Sequence, residues 1–155
     1  METNIIRKAN LNDLEKLLIF EQRIIEYERP YDPTLKDEKI NYYNLEKMIL
    51  ATDVEVLVAE IDSEIVSSGY ARIEVAKPYL QHCSYAYLGF MFTEERFRGK
   101  GKNAKIINAL IQWCKLKNIF EIRLDVYNQN ASAIQAYRKA GFSKHLINMR
   151  MALEK

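Results

Sequence analysis

The sequence has little of what interrupts or staples a chain: its 155 residues include 5 Gly, 3 Pro, 2 Cys and 2 His. So few Gly and Pro exclude a collagen-like or low-complexity chain, and no Gly/Ser- or Pro-rich linker divides it. Cys83 and Cys114 lie far apart and match no ligand or redox spacing, which excludes a disulfide scaffold and a structural metal. Reduced thiols in a cytoplasmic protein are the expectation. No apolar run approaches the roughly 20 residues that a membrane-spanning helix needs. The first ten residues are polar and carry Glu2, so they do not read as a secretory signal. No internal repeat is visible, and the length suits one domain over residues 1–155.

What is present is an ordinary globular mixture, 48% hydrophobic and 28% charged, with a formal net charge of +2. That small net charge hides a split. Residues 1–95 carry 10 Lys and Arg against 18 Asp and Glu, whereas residues 96–155 carry 13 against 3. A basic part suits a polyanion and an acidic part suits a cation, provided the charges are not simply solvating helix faces.

Periodicity gives the elements. Asn4 to Arg7 reads as a first strand. Asn10 is a helix N-cap candidate with Asp13 in the first turn. Leu11, Leu14, Leu18 and Ile25 share one face of a helix expected to run to Tyr27, where the Arg29–Pro33 stretch ends it. A second helix is expected over 37–50, with Ile40, Leu45 and Ile49 inward. The period then becomes two. Strands are expected over 54–61 and 65–76, joined at Asp62-Ser63, and a third, aromatic-rich strand over 85–93. A helix over 101–117 carries Ile106, Leu110, Trp113 and Cys114 on one stripe. Ile122, Leu124 and Val126 alternate as a strand, 131–140 is a short helix closed by Gly141, and Ile147, Met149, Met151 and Leu153 alternate as a final strand. The fold class expected is α/β, a mixed and mostly antiparallel sheet covered by helices.

The chemistry concentrates where the third strand ends. After Thr93, a short loop holds Arg98-Gly99-Lys100-Gly101, and an amphipathic helix starts at once. Glycines let a ligand approach the backbone, and the free amides and dipole of a helix start attract an anion. Arg98, Lys100 and Lys102 add positive charge, so a pyrophosphate fits. Neither the P-loop pattern nor G-x-G-x-x-G is present, since Ala104 stands three after Gly101.

This segment resembles the coenzyme-A-binding motif of the GNAT superfamily of N-acetyltransferases, Q/R-x-x-G-x-G/A. Arg98 takes its first position and Gly101 its fourth, while Asn103 stands where the family has Gly or Ala, and Lys102 replaces a usual aliphatic residue. A second segment resembles the family's later motif, a strand followed by N-x-x-A-x-x-x-Y-x-x-x-G-F. Asn130, Ala133, Tyr137, Gly141 and Phe142 fall on its positions in register.

The resemblance implies a GNAT-like fold and transfer of an acetyl group from acetyl-CoA, as co-substrate and with no metal, directly to a primary amine. It implies that the cofactor is held by Met91, Phe92 and Thr93 through their backbone, by residues 98–103 (Arg98, Gly99, Lys100, Gly101, Lys102, Asn103), and by Asn130, Ala133 and Tyr137. The main-chain amide near Phe92 would polarise the thioester carbonyl. Tyr137 takes the family's position for the acid that protonates the departing thiolate. Asp125 sits where some members carry a catalytic Glu, and is the candidate base. Glu26, Glu28, Glu74 and Glu94 are weaker candidates. His82 and His145 have no motif support.

With the charge split, the acceptor is expected to be a cationic small molecule or peptide, chosen by residues 26–32, Tyr42, Tyr43 and the 76–85 connection. The alternatives are a phosphate-backbone-binding module, which a pI near 8.4 and the lack of a stacking platform disfavour, and a homologue that binds acyl-CoA without catalysing. No nucleic acid or membrane partner is expected. Dimers are common in the family, so a homodimer is left open.

Overall fold

A computed structural model describes residues 3–155. Five strands form one sheet in the order β1-β2-β3-β4-β5: β1 (Asn4–Lys8), β2 (Val54–Ile61), β3 (Glu64–Val75), β4 (Ser84–Thr93) and β5 (Ile122–Arg123). The first four pair antiparallel, and β5 pairs parallel to β4. The β2–β3 hairpin turns at Asp62 and Ser63, with φ of 47° and 69°. Two consecutive positive φ values give the turn whose twist matches that of its strands.

Along β2, both faces are buried. Val54, Val56 and Val58 join Leu17, Phe20 and Ile24 of α1 (Leu14–Glu28) and Leu45 and Ile49 of α2 (Leu45–Leu50). Leu57, Ala59 and Ile61 face the other way, into a cluster with Ile106, Leu110 and Cys114 of α3 (Lys102–Leu116). The sheet is therefore sandwiched between α1–α2 and α3, as the sequence implies. The final helix, α4 (Ala131–Ala140), is closed by Gly141 at φ 110°.

The entry to α1 is fixed by local polar contacts. Asn10 accepts from the Asn12 amide (2.9 Å), and Asp13 accepts from the Asn10 amide (2.8 Å), a reciprocal capping box. The Arg7 guanidinium grips Asp13 with two bonds and holds its carboxyl below the usual range, despite burial.

The inward face of α1 differs from the expected one. Leu11 and Leu18 are exposed, and the buried stripe is Leu17, Phe20, Glu21, Ile24 and Ile25. This stripe has ideal i, i+3, i+4, i+7, i+8 spacing, but a carboxylate at Glu21 hides it from a hydrophobicity pattern. Glu21 also explains the second correction. Residues 37–44 are not helical, and only Leu45–Leu50 forms α2. Glu21 accepts from the amides of Tyr42 (2.9 Å) and Tyr43 (2.8 Å) and from the Asn41 side chain (2.7 Å), while Gln22 donates to the Ile40 carbonyl. Those backbone groups are bound by α1, so they cannot close a helical ladder of their own.

The third correction lies at the C-terminal end. Only Ile122 and Arg123 join the ladder, so Leu124 and Val126 run beyond it. Ile147, Met149, Met151 and Leu153 form no strand, because among the described residues none pairs with them.

Candidate active site at the splayed strands

The parallel pair β4–β5 is short. Ala86 opposes Ile122 and Tyr87 opposes Arg123, after which β4 continues to Thr93 without β5. The strands splay apart, leaving one edge of β4 open. The other edge is irregular too. The β3–β4 register shifts between Ser68 and Tyr70, and Phe90 has φ 57°. A non-glycine residue in that region costs strain and is seen where surroundings enforce it. Here Ser68 donates to the Phe90 carbonyl (3.0 Å), and Ser67 donates to the Phe92 carbonyl (2.7 Å). Gly89 is required at the same place, since a Cβ there would come within 2.5 Å of the Tyr70 ring.

Phe92 is buried with its ring centroid 4.5 Å from that of Phe20, while Met91 and Thr93 are half-buried. Arg98 folds back so that its Nε donates to the Thr93 carbonyl (3.0 Å). Gly99 and Gly101 have φ of 75° and 76°, and a Cβ on either would meet nothing within 4 Å. They bend the backbone while leaving open space over it. Among the described residues, the amides of Lys102, Asn103 and Ala104 have no acceptor, and the first helical bond of α3 runs from the Lys105 amide to Gly101 (3.1 Å). The Asn103 side-chain oxygen is buried and has no partner. Free amides, open space and an orphaned polar atom together fit the phosphates of a coenzyme A. Lys102 contributes only its amide to this site. Its side chain is buried and, with the Asn4 amide oxygen turned toward it, donates to Asn4 at 2.7 Å.

Across the splay, Asn130 caps α4, accepting from the Ala133 amide (3.3 Å). One helical turn on, Tyr137 is half-buried with Phe142 edge-on at 5.9 Å. Burial, and then the nearby Glu28 charge, push the Tyr137 hydroxyl up to about 12. Asp125 is exposed and accepts a long bond (3.3 Å) from Tyr87.

Side chains from six segments, most of them tyrosines, cluster beside these groups and border a candidate acceptor cleft. Tyr31 packs on Tyr127 (5.8 Å), whose hydroxyl donates to Asp32 (2.9 Å). Tyr42 donates to Glu28 (3.0 Å), and Tyr43 meets Tyr70 at 5.6 Å. The Arg72 guanidinium lies 5.5 Å from the Tyr70 ring and 5.4 Å from that of Tyr87. Burial raises the pKa of Tyr42, Tyr43, Tyr127 and Tyr137, and the charge of Glu28, which all four share, raises each further. The Glu28 carboxyl itself is raised above the ordinary value by burial first, with Asp32 adding and the Tyr42 bond opposing.

Of the other carboxylates, Glu94 is tied up by Lys16 (2.9 Å), Arg96 (3.5 Å) and Arg23 (3.6 Å), and these outweigh burial to lower its pKa. Glu74 pairs with Arg72, and Glu26 is exposed. The roles of Tyr70, Tyr87 and Arg72 in the cleft were not foreseen. Each sits on an ordinary alternating strand, and only strand pairing joins them to Tyr43 and Asp125.

The match to the family model described as "Acetyltransferase (GNAT) family" runs over residues 17–142, most of the chain. The chain belongs to this family. Glucosamine 6-phosphate N-acetyltransferase from Arabidopsis thaliana is 30% identical over 95 residues, covering 61% of this chain and 60% of that protein. The chain thus spans less than two thirds of that relative's length. Among solved structures, a mutant of the BH1408 protein from Bacillus halodurans superposes with a TM-score of 0.87 at 22% identity, covering 97% of this chain and 99% of that one. A predicted acetyltransferase from Clostridium acetobutylicum with acetyl-CoA gives 0.72 at 18% identity, over 97% of this chain and 96% of that one. At such identities the structures establish the GNAT fold, a mixed sheet covered by helices, as expected.

Proposed function

We propose that this GNAT-family chain transfers the acetyl group of acetyl-CoA to a cationic primary amine. The observation that carries the reading is one splay between β4 and β5 with a phosphate-ready glycine loop at its end and a tyrosine–carboxylate cleft beside it. Acetyl-CoA supplies an acetyl group activated as a thioester. Gly99, Gly101 and the amides of residues 102–104 hold its pyrophosphate, with Arg98 and Lys100 adding charge. The open edge of β4 at Met91–Thr93 takes the pantetheine arm as an added strand would, helped by Asn130 and Ala133. The amide near Phe92 faces the carbonyl oxygen as negative charge develops there.

The amine arrives as an ammonium and must lose a proton before its lone pair can attack. Glu28 accepts that proton on this reading, because burial makes it more basic than an ordinary carboxylate. Asp125, at the more exposed rim, serves as the second carboxylate that draws the cation in. As the new C–N bond forms and the C–S bond breaks, Tyr137 donates its proton toward the departing sulfur. Its pKa of about 12 keeps the hydroxyl protonated beforehand. Part of that elevation comes from the Glu28 charge, so proton uptake by Glu28 makes Tyr137 a better donor when the sulfur leaves.

The named substrate of the Arabidopsis relative is a phosphorylated amino sugar, which supplies the counter-example for a test. Thiol release from acetyl-CoA is measured with polyamines, basic peptides, glucosamine 6-phosphate and free glutamate as acceptors. Cationic amines should react fastest, and a win for the anionic acceptors rejects the cationic reading. Gly101→Glu, which puts a carboxylate on the phosphate path without a clash, should abolish calorimetric binding of acetyl-CoA while the melt stays cooperative. Unchanged affinity removes the loop from the cofactor site.

A further inference from the structure

We infer, on the reading that acetyl-CoA lies along the open edge of β4, that the buried hydroxyls of Ser67 and Ser68 are positioning groups. They aim and polarise the two peptide units of β4 that face the cofactor. The β3–β4 ladder is mismatched at this point. Between the pairs Ser68–Phe92 and Tyr70–Gly89, β3 contributes one residue, Gly69, whereas β4 contributes two, Phe90 and Met91. The extra residue makes a β-bulge, which locally disrupts the ladder. Gly69 makes room for it, since a Cβ there would come within 2.5 Å of the Met91 sulfur.

Serine is mostly an exposed residue, and a buried hydroxyl is costly unless it is bonded. Ser67 and Ser68 are both 0% exposed, and each directs its single proton to a β4 carbonyl in the bulge. Ser68 donates to Phe90 (3.0 Å) and Ser67 to Phe92 (2.7 Å). Ser67 also lies 2.8 Å from the Thr93 hydroxyl. Its own proton is already committed, so Thr93 is the donor there. A chain therefore runs from Thr93 through Ser67 to the Phe92 carbonyl.

These bonds set the direction of the amides that follow. A trans peptide is planar, so its N–H points opposite to its C=O. With the Phe90 and Phe92 carbonyls held toward β3, the Met91 and Thr93 amides point away from it. That is the edge left bare beyond Tyr87, where β5 no longer pairs. The next residue keeps the alternation, since the Glu94 amide turns back to the Val66 carbonyl (2.8 Å) while the Thr93 carbonyl meets Arg98. Phe90, at φ 57°, holds a conformation that its surroundings must enforce. A carbonyl that accepts a bond also strengthens the amide of its own peptide as a donor, because bonded groups polarise one another. Met91 thus offers an aimed, polarised donor to the thioester oxygen, and Thr93 offers one to the pantetheine arm.

Infrared spectra of bound acetyl-CoA, carrying carbon-13 at the acetyl carbonyl, test this without an amine. In the wild type the carbonyl stretch should fall in frequency on binding. Ser68→Ala should lose about half of that fall or more, with calorimetric affinity kept within about threefold. Its turnover with the fastest amine of the panel above should drop about 10-fold, less than the loss of a whole oxyanion donor. Ser67→Ala should do the reverse, weakening acetyl-CoA about 10-fold and leaving the frequency in place. Val66→Ala, a packing loss on the same strand, should lower the melting temperature and change neither. Should Ser68→Ala fail to fold, Ser68→Cys, a weaker donor, should give an intermediate frequency. A wild type that does not bind acetyl-CoA removes the cofactor reading, and this one with it. Binding without a wild-type shift, Ser68 variants at the wild-type frequency or turnover, or Ser67→Ala at wild-type affinity overturns the serine assignment alone. So does a Val66→Ala that loses the shift as Ser68→Ala does.

Discussion

At the scale of single residues, the candidate chemistry rests on two groups whose ordinary ionisation has been shifted by where they sit. Tyr137 keeps its proton because burial and Glu28 raise it to about 12. Tyr137→Phe keeps the ring against Phe142 and removes only the donor. It should lower kcat roughly 100-fold, within the range of general acid catalysis, and leave acetyl-CoA affinity unchanged by calorimetry. Wild-type turnover would return Tyr137 to packing alone. Glu28 is raised mainly by burial, so its proton is lost only above the ordinary carboxylate range. The sign for catalysis follows. The base forms as pH rises through the elevated pKa, so kcat/KM for the amine should climb through an inflection there. Glu28→Gln should abolish that inflection and cost about 100-fold, whereas Asp125→Asn should keep it. The reverse result would make Asp125 the base. For stability the sign is opposite. A raised folded pKa favours the native state below the unfolded pKa, and that share is lost as pH rises through the folded value.

At the scale of elements, one buried carboxylate decides how the acceptor side is built. Glu21 is fully buried on α1, where an unpaired charge would cost several kcal/mol. It is satisfied by two main-chain amides and an Asn side chain, all from residues 41–43. Those bonds hold Tyr42 and Tyr43 in the cleft, with Tyr42 against Glu28. Glu21→Ala leaves three donors without an acceptor and opens a void under residues 41–43. It should cost about 3 kcal/mol in urea unfolding, at the upper end for buried polar groups left unpaired. It should also raise KM for the amine more than KM for acetyl-CoA, because the glycine loop lies on other elements. A loss of less than about 1 kcal/mol would mean that water replaces the carboxylate. The α3 start works by the opposite device. Its N-cap is Gly101, with no side-chain cap, and the amides left bare are the feature an anion would use.

At the scale of the whole molecule, the charge split seen along the chain has a spatial counterpart. Glu28, Asp32 and Glu74 come from the acidic part and stand at the cleft, with Asp125 beyond them. Arg98 and Lys100 of the basic part stand at the glycine loop. Fields of this kind steer ligands and weaken with salt, since the Debye length falls from about 30 Å at 0.01 M to about 10 Å at 0.1 M. The apparent KM of a cationic acceptor should therefore rise severalfold over that range. Arg72 lies in the cleft against Tyr70 and Tyr87, so the effect should be modest. A KM independent of salt would show that the carboxylates act only at contact range.

The sequence by itself determined the family and the sheet class, and it marked the two segments proposed to hold the cofactor, because these rest on local signals. A helix opened by glycine, one capped by Asn130 and closed by Gly141, and strands of period two are all written within a few residues of where they act. It also placed Tyr137, which falls at a fixed spacing from Asn130. Only the tertiary structure decided which face of α1 is buried, since the deciding residue, Glu21, is polar and finds its partners 20 or more residues away. The cleft was decided the same way. Glu28 becomes a distinctive group only when Tyr42, Tyr43, Tyr127 and Tyr137, from segments as distant as α4, enclose it. The C-terminal strand is the converse case. Its alternation is plain in the sequence, but a strand needs a neighbouring edge, and among the described residues none pairs with this segment.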